Sequence, residues 1–146
     1  MKYLLDTGPL TAYLLGRPGA VARFERFILA GDVATSVLVY AEAIEYFSAL
    51  PPYQQLQEGL RGILRQQVRK LYPTYAVCEQ YATLRRTMRT LRTPSGQPVG
   101  LIGDMDTMIA ATALAHNLTV ITIDRDFARV PGLSHQILTM AQLRSI

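Results

Sequence analysis

Four acids stand where chemistry would need them. Asp6 closes the apolar run that begins the chain, and Asp124 closes the run Leu118 to Ile123. Asp106 falls in the first turn of the segment that leads into that second run. In an open parallel sheet, ligands bind beyond the carboxyl ends of the strands, so Asp6 and Asp124 belong on one rim. Each also suits a plain N-cap, because Asp accepts hydrogen bonds from the free N–H groups of a helix start. Asp104, directly after Gly103, fits the cap role better than Asp106. Glu42 is the strongest single signal: Val37 to Ile44 is apolar apart from it, and no Lys or Arg occurs between Arg26 and Arg61. A carboxylate partly buried without a partner is costly and must shift its pKa or find a cation. A metal ion is one solution and a distant Arg the other. Glu45, one turn further on, is either a second ligand or the solvated edge of the same helix, the commoner place for a glutamate.

Four carboxylates from four segments match a hard divalent cation. Mg²⁺ and Mn²⁺ take oxygen ligands and keep several waters. The single cysteine, Cys78, excludes a disulfide framework and a Cys-based zinc site, and two histidines, His116 and His135, exclude a multi-His centre. Neither lysine, Lys2 or Lys70, stands in a phosphate-loop context. Charge supplies the second half of the pattern. Residues 61–92 hold eight basic residues and one acid, a net +7 in a chain of net +4, which leaves −3 for the remainder. Such asymmetry points to a polyanionic partner held by one part of the chain, against solvated helix faces as the alternative. Metals that generate hydroxide and stabilise both oxygens of an in-line displacement, beside a basic surface, describe phosphodiester hydrolysis.

The elements that must position these residues follow from periodicity. Strands are expected at Lys2–Leu5, Val33–Ser36, Val68–Tyr72, Leu118–Ile123 and Gln136–Leu138. Helices are expected from Pro9, around Val21–Ile28, over Val37–Leu50 up to Pro51-Pro52, over 53–67, through Val77–Leu91, and over Asp104–His116 with Asn117 as C-cap. A short helix follows Asp124, and the Pro/Gly-rich stretch Thr93–Gly103 reads as a loop. Strands separated by helices argue a parallel α/β sheet. At 146 residues, 49% hydrophobic and 18% charged, the chain should form one domain, residues 1–146, with a real core rather than a disordered ensemble. No apolar run spans a membrane, and an acid at position 6 comes too early for a signal peptide, so a cytoplasmic protein is the expectation. Arg85, Arg89 and Arg92 are spaced to line one helix face with Arg86 beside them, while Tyr81, Leu84, Met88 and Leu91 turn inward. That stripe can follow a phosphate backbone, serve as a docking face for a protein partner, or simply solubilise the helix.

At these residues the chain resembles the PIN-domain ribonucleases, closely the VapC toxins of prokaryotic toxin–antitoxin pairs. The matching blocks are Leu4-Leu5-Asp6-Thr7, Thr35-Ser36-Val37 leading to Ala41-Glu42, Ile102-Gly103-Asp104-Met105-Asp106 with Ile109-Ala110-Ala111, Thr122-Ile123-Asp124 with Phe127, and the tail Arg129 to Leu133. The resemblance runs in order through nearly the whole chain. It implies a PIN-like three-layer α/β fold with a central, mostly parallel sheet flanked by helices. The family's acids fall on Asp6, Glu42, Asp106 and Asp124, with Asp104 at a frequently acidic neighbouring position and Thr122 at the hydroxyl residue near the last acid. Where many relatives carry a Leu and then a Gly, this chain has Ala43-Ile44-Glu45-Tyr46. The implied activity is a Mg²⁺- or Mn²⁺-dependent endoribonuclease acting on tRNA or rRNA, usually a homodimer, held by a small antitoxin. An RNA-processing nuclease without an antitoxin, or a non-catalytic RNA-binding module, is the alternative. A haloacid-dehalogenase phosphatase would want an Asp where Gly8 stands, and a receiver domain would want a late lysine that the chain lacks.

Overall fold

The computed structural model describes residues 1–146. Five strands form one sheet: β1 (Tyr3–Leu5), β2 (Val33–Ser36), β3 (Arg69–Leu71), β4 (Thr119–Thr122) and β5 (His135–Ile137), in the order β3-β2-β1-β4-β5. Every pairing is parallel, which sharpens the expected mostly parallel sheet. All four residues of β2 are buried, the pattern of a strand covered on both faces. The buried hydroxyl of Thr35 is satisfied by the carbonyl of Leu5 on the neighbouring strand, 2.8 Å away.

The strand order decides where a ligand can sit. The chain runs from β1 outward through β2 to β3 on one side, then returns to place β4 on the other side of β1. The order therefore reverses between β1 and β4, and that crevice at the carboxyl ends is where open α/β sheets bind ligands.

Seven helices surround the sheet: α1 (Thr7–Leu14), α2 (Pro18–Leu29), α3 (Val37–Ser48), α4 (Tyr53–Gln66), α5 (Tyr75–Thr90), α6 (Asp104–Ala115) and α7 (Met140–Arg144). α1 begins two residues before Pro9, which is tolerated because the first N–H groups of a helix have no intrahelical partner. α3 starts on Ser36, whose hydroxyl accepts from the backbone N–H of Leu38. Asn117 takes a left-handed conformation, φ 54°, directly after α6 and turns the chain into β4. The segment between α5 and α6 is tied rather than free: Arg92 bridges Pro98, and the Val99 N–H donates to the Leu91 carbonyl at 3.0 Å. α7 lies outside the sequence expectations, although its capping box, Thr139 with Gln142, is a sequence-level signal.

Gly19 is required where α2 meets α7. A Cβ there would run into the backbone carbonyls of Gln142, Leu143 and Ser145. Gly19→Ala is therefore expected to displace α7 and cost on the order of 1–3 kcal/mol, with the sheet retained. Unchanged thermal stability together with unchanged hydrogen-exchange protection over α7 would contradict this.

Candidate active site

The first acid follows β1 directly. Asp6 is buried, and its carboxylate accepts a 2.7 Å hydrogen bond from the Thr122 hydroxyl at the end of β4. The same hydroxyl oxygen accepts from the backbone N–H of Asp124 at 3.0 Å. One threonine thus sets both Asp6 and the turn that carries Asp124, across the crevice where the strand order reverses. Burial pushes the Asp6 carboxyl above its usual range; Glu42 and Asp124 push the same way, while the Thr122 hydroxyl and the Thr7 backbone oppose them. Asp6 occupies the N-cap position of α1 but makes no side-chain cap bond. Asp124 does cap the short 3₁₀ turn Arg125–Arg129, accepting from the Asp126 N–H at 2.9 Å. The cap reading and the rim reading therefore coincide at Asp124.

Glu42 lies on α3, half-buried, and its carboxylate accepts a 2.7 Å bond from the Thr7 hydroxyl at the start of α1. No Lys or Arg pairs with it. The fourth acid, Asp106, sits in the first turn of α6 and is half-buried. Its carboxyl is pushed up to about 7, by burial first, then by the charges of Asp6, Asp124 and Glu42, with a proton-sharing contact to Asp124 adding to the effect. The fold brings the four acids close enough to repel one another, and no Lys or Arg bonds to any of them. A carboxyl kept half-protonated near neutrality by burial among other acids marks a place where positive charge is missing.

Asp126 joins this group without having been singled out from the sequence. Asp106, Asp124 and Asp126 each offer a ligand atom, all within 4.8 Å of one another. The available signal was the spacing Asp124-Arg125-Asp126, which a tight turn folds onto one side. Arg129 holds Asp126 at 3.2 Å and donates also to the Val99 carbonyl at 3.2 Å. The donor set is oxygen only, the ligand type that hard divalent cations take.

The remaining candidates divide. Asp104 is not the cap of α6; Gly103 holds that position. Its exposed carboxylate instead accepts from Arg85 at 2.9 Å and from the Tyr81 hydroxyl at 3.0 Å, because α5 packs along α6. Arg85 is thereby engaged within the protein, Arg86 and Arg89 remain exposed on α5, and Arg92 lies past the helix end in the bridge to Pro98, so the expected single stripe through Arg92 is not formed. Glu45 is exposed and outside the cluster, on the solvent edge of α3.

Comparison with known proteins places the chain in context. The family described as PIN domain matches residues 3–133. No curated protein matches the chain. Among solved structures, VapBC-1 from nontypeable Haemophilus influenzae is 30% identical, with 94% of this chain and 98% of that one covered and a TM-score of 0.68. FitAcB from Neisseria gonorrhoeae is also 30% identical, covering 91% and 95%, with a TM-score of 0.65. VapBC2 from Rickettsia felis shares the fold at 24% identity, covering 94% and 98%, with a TM-score of 0.74.

Proposed function

Since the chain belongs to the PIN-domain family, a family of nucleases, we propose that it is a metal-dependent endoribonuclease and the toxin of a toxin–antitoxin pair, acting on tRNA or rRNA to block translation. The observation that carries the reading is the group of carboxylates on the rim between β1 and β4, where burial and the neighbouring acids raise Asp6 and Asp106, and no Lys or Arg bonds to Asp6, Glu42, Asp106 or Asp124. Asp6, Asp106 and Asp124, with Glu42 and Asp126 beside them, would hold Mg²⁺ or Mn²⁺. The bound ion supplies a hydroxide nucleophile and charge stabilisation at the phosphate. The chain's own residues do the positioning. The Thr122 hydroxyl orients Asp6, and the Thr7 hydroxyl orients Glu42. Arg86, Arg89 and Arg92 offer forks to the RNA backbone, which contribute affinity rather than sequence choice. Asp104 acts through Arg85 and Tyr81, outside the metal ligands.

The solved VapBC relatives are complexes of toxin with antitoxin, which supports a cognate antitoxin as partner here; a homodimer is the expected assembly. No helix is long and apolar enough to cross a membrane. The test is expression without an antitoxin. Growth should halt with new RNA cleavage in the cell, and Asp6→Asn should relieve both. Harmless expression of a soluble protein that cuts RNA in vitro would leave the nuclease and remove the toxin role.

A further inference from the structure

The basic segment divides in the fold. Arg85, Arg86 and Arg89 lie on α5 and Arg92 just past its end, whereas Arg61, Arg65 and Lys70 converge on a cavity of about 410 Å³ between α3, α4 and the end of β3. Tyr40 and Tyr72 form its aromatic walls, and Leu64 contributes apolar floor. The lining contains no acid. Glu58, just outside, shares Arg65 at 2.8 Å and Arg61 at 3.7 Å, while Lys70 has no ion pair. The Arg61 Nε donates to the Tyr40 hydroxyl at 3.3 Å, which fixes one cation against one ring. Tyr72 is 57% exposed, with its ring available. A second hollow shares Leu64, Arg65 and Lys70 and adds Arg69, so the cations continue round the edge strand.

Its place in the fold matters as much as its composition. β2 ends at Ser36 and β3 at Leu71, so Tyr72 follows directly on the same carboxyl rim that carries Asp6 and Asp124. β3 lies two strands from β1, roughly 10 Å at ordinary strand spacing. A single strand of RNA lying along that rim meets the carboxylates and this cavity in turn. The geometry points to a nucleotide-binding subsite here, in which a base of single-stranded RNA stacks on Tyr72 and its phosphate is held by Lys70, Arg65 and Arg61. It rests on the ribonuclease reading for its substrate. Cations alone would take an acidic polypeptide equally well; the tyrosines and apolar floor add a flat surface that a base fills and a carboxylate side chain does not.

The experiment is the affinity of the full chain for a fluorescently labelled single-stranded RNA, in EDTA, across a salt series. Tyr72→Ala should weaken binding at least fivefold with the salt slope unchanged, and Tyr72→Phe should restore it. Lys70→Ala should flatten the log–log salt slope by about 0.7. Melting curves confirm that each exposed variant folds. RNA binding like the parent's in Tyr72→Ala and Lys70→Ala overturns the subsite, and does so most plainly if polyglutamate binding is lost in the same variants. The two readings fail separately. Normal cleavage with unaffected binding removes the subsite alone. Impaired binding in the variants, with no cleavage by the parent in Mg²⁺ or Mn²⁺, supports the subsite and removes the nuclease.

Discussion

Asp106→Asn is expected to abolish RNA cleavage while making the metal-free protein more stable at pH 8. The loss of activity follows from the position of Asp106, whose carboxyl is raised by burial first and then by the charges of Asp6, Asp124 and Glu42. An amide keeps the shape and hydrogen-bonding reach of the carboxylate but brings no negative charge to a cation. The stability gain follows from the same burial and the repulsion that adds to it. With its pKa pushed from 3.8 to about 7 in the folded state, Asp106 keeps a proton that the unfolded chain gives up. Wherever the native state binds more protons than the unfolded one, stability falls as pH rises. The metal-free parent therefore loses stability from about pH 4 to about pH 7 and stays lower above that. Asparagine removes this penalty. Asp106 is half-exposed and water screens the repulsion, so the gain at pH 8 should be about 1–2 kcal/mol, with parent and variant nearly equal at pH 4. Paired melting curves at the two pH values and one RNA assay check the prediction. A fully active Asp106→Asn enzyme, or a variant less stable than the parent at pH 8, would count against the assignment.

Removing divalent metal should have an effect of the same size. The rim between β1 and β4 holds carboxylates oriented by threonine hydroxyls, with no histidine or cysteine in the cluster. Such a set is suited to holding a cation that would supply the hydroxide, so chelation by EDTA should stop cleavage and added Mg²⁺ or Mn²⁺ should restore it. The ion must displace the proton from Asp106, so binding should release protons and tighten as pH rises towards 7. Calorimetry in buffers of different ionisation enthalpy reads that release directly. Metal should also raise the melting temperature of the parent more than that of Asp106→Asn. Cleavage undiminished in EDTA would sink the mechanism whatever the melting curves show.

Much of the architecture was legible in the sequence because it is written locally. β1, β2 and β4 carry short buried runs, and the helices other than α7 show a period or a start or stop signal of their own. Leu4 and Leu5 had to be buried, Ser36 was a hydroxyl ahead of an apolar helix, and Asn117 was a residue able to take a positive φ. Local pattern also put Asp6 and Asp124 at strand ends and left Glu42 alone among apolar neighbours. Errors of one to three residues at element ends, three at the start of α2 and one or two at α1, α3, α5, β3 and β5 among others, have the usual cause, since terminal residues are held by pairing and packing rather than by propensity.

What the sequence could not determine is which distant groups meet, because that depends on strand order. β4 lies beside β1 and not beside β3, and only that adjacency lets Thr122 reach Asp6 across 116 positions. Glu42 finds a threonine hydroxyl 35 residues away, where sequence reasoning left the choice between a metal and an arginine open. Asp104 looks like a cap in one dimension, yet the packing of α5 along α6 gives it Arg85 and Tyr81, which withdraws Arg85 from the exposed stripe. Asp126 enters the carboxylate cluster because a 3₁₀ turn folds it beside Asp124, and one +7 segment becomes two separate basic surfaces. Sequence by itself determined the elements and the kinds of residue at their ends, since burial and backbone preference act over a few neighbouring residues. Tertiary structure alone decided the partners, since electrostatic and hydrogen-bonding energies depend on distances of a few ångströms that only the folded chain defines.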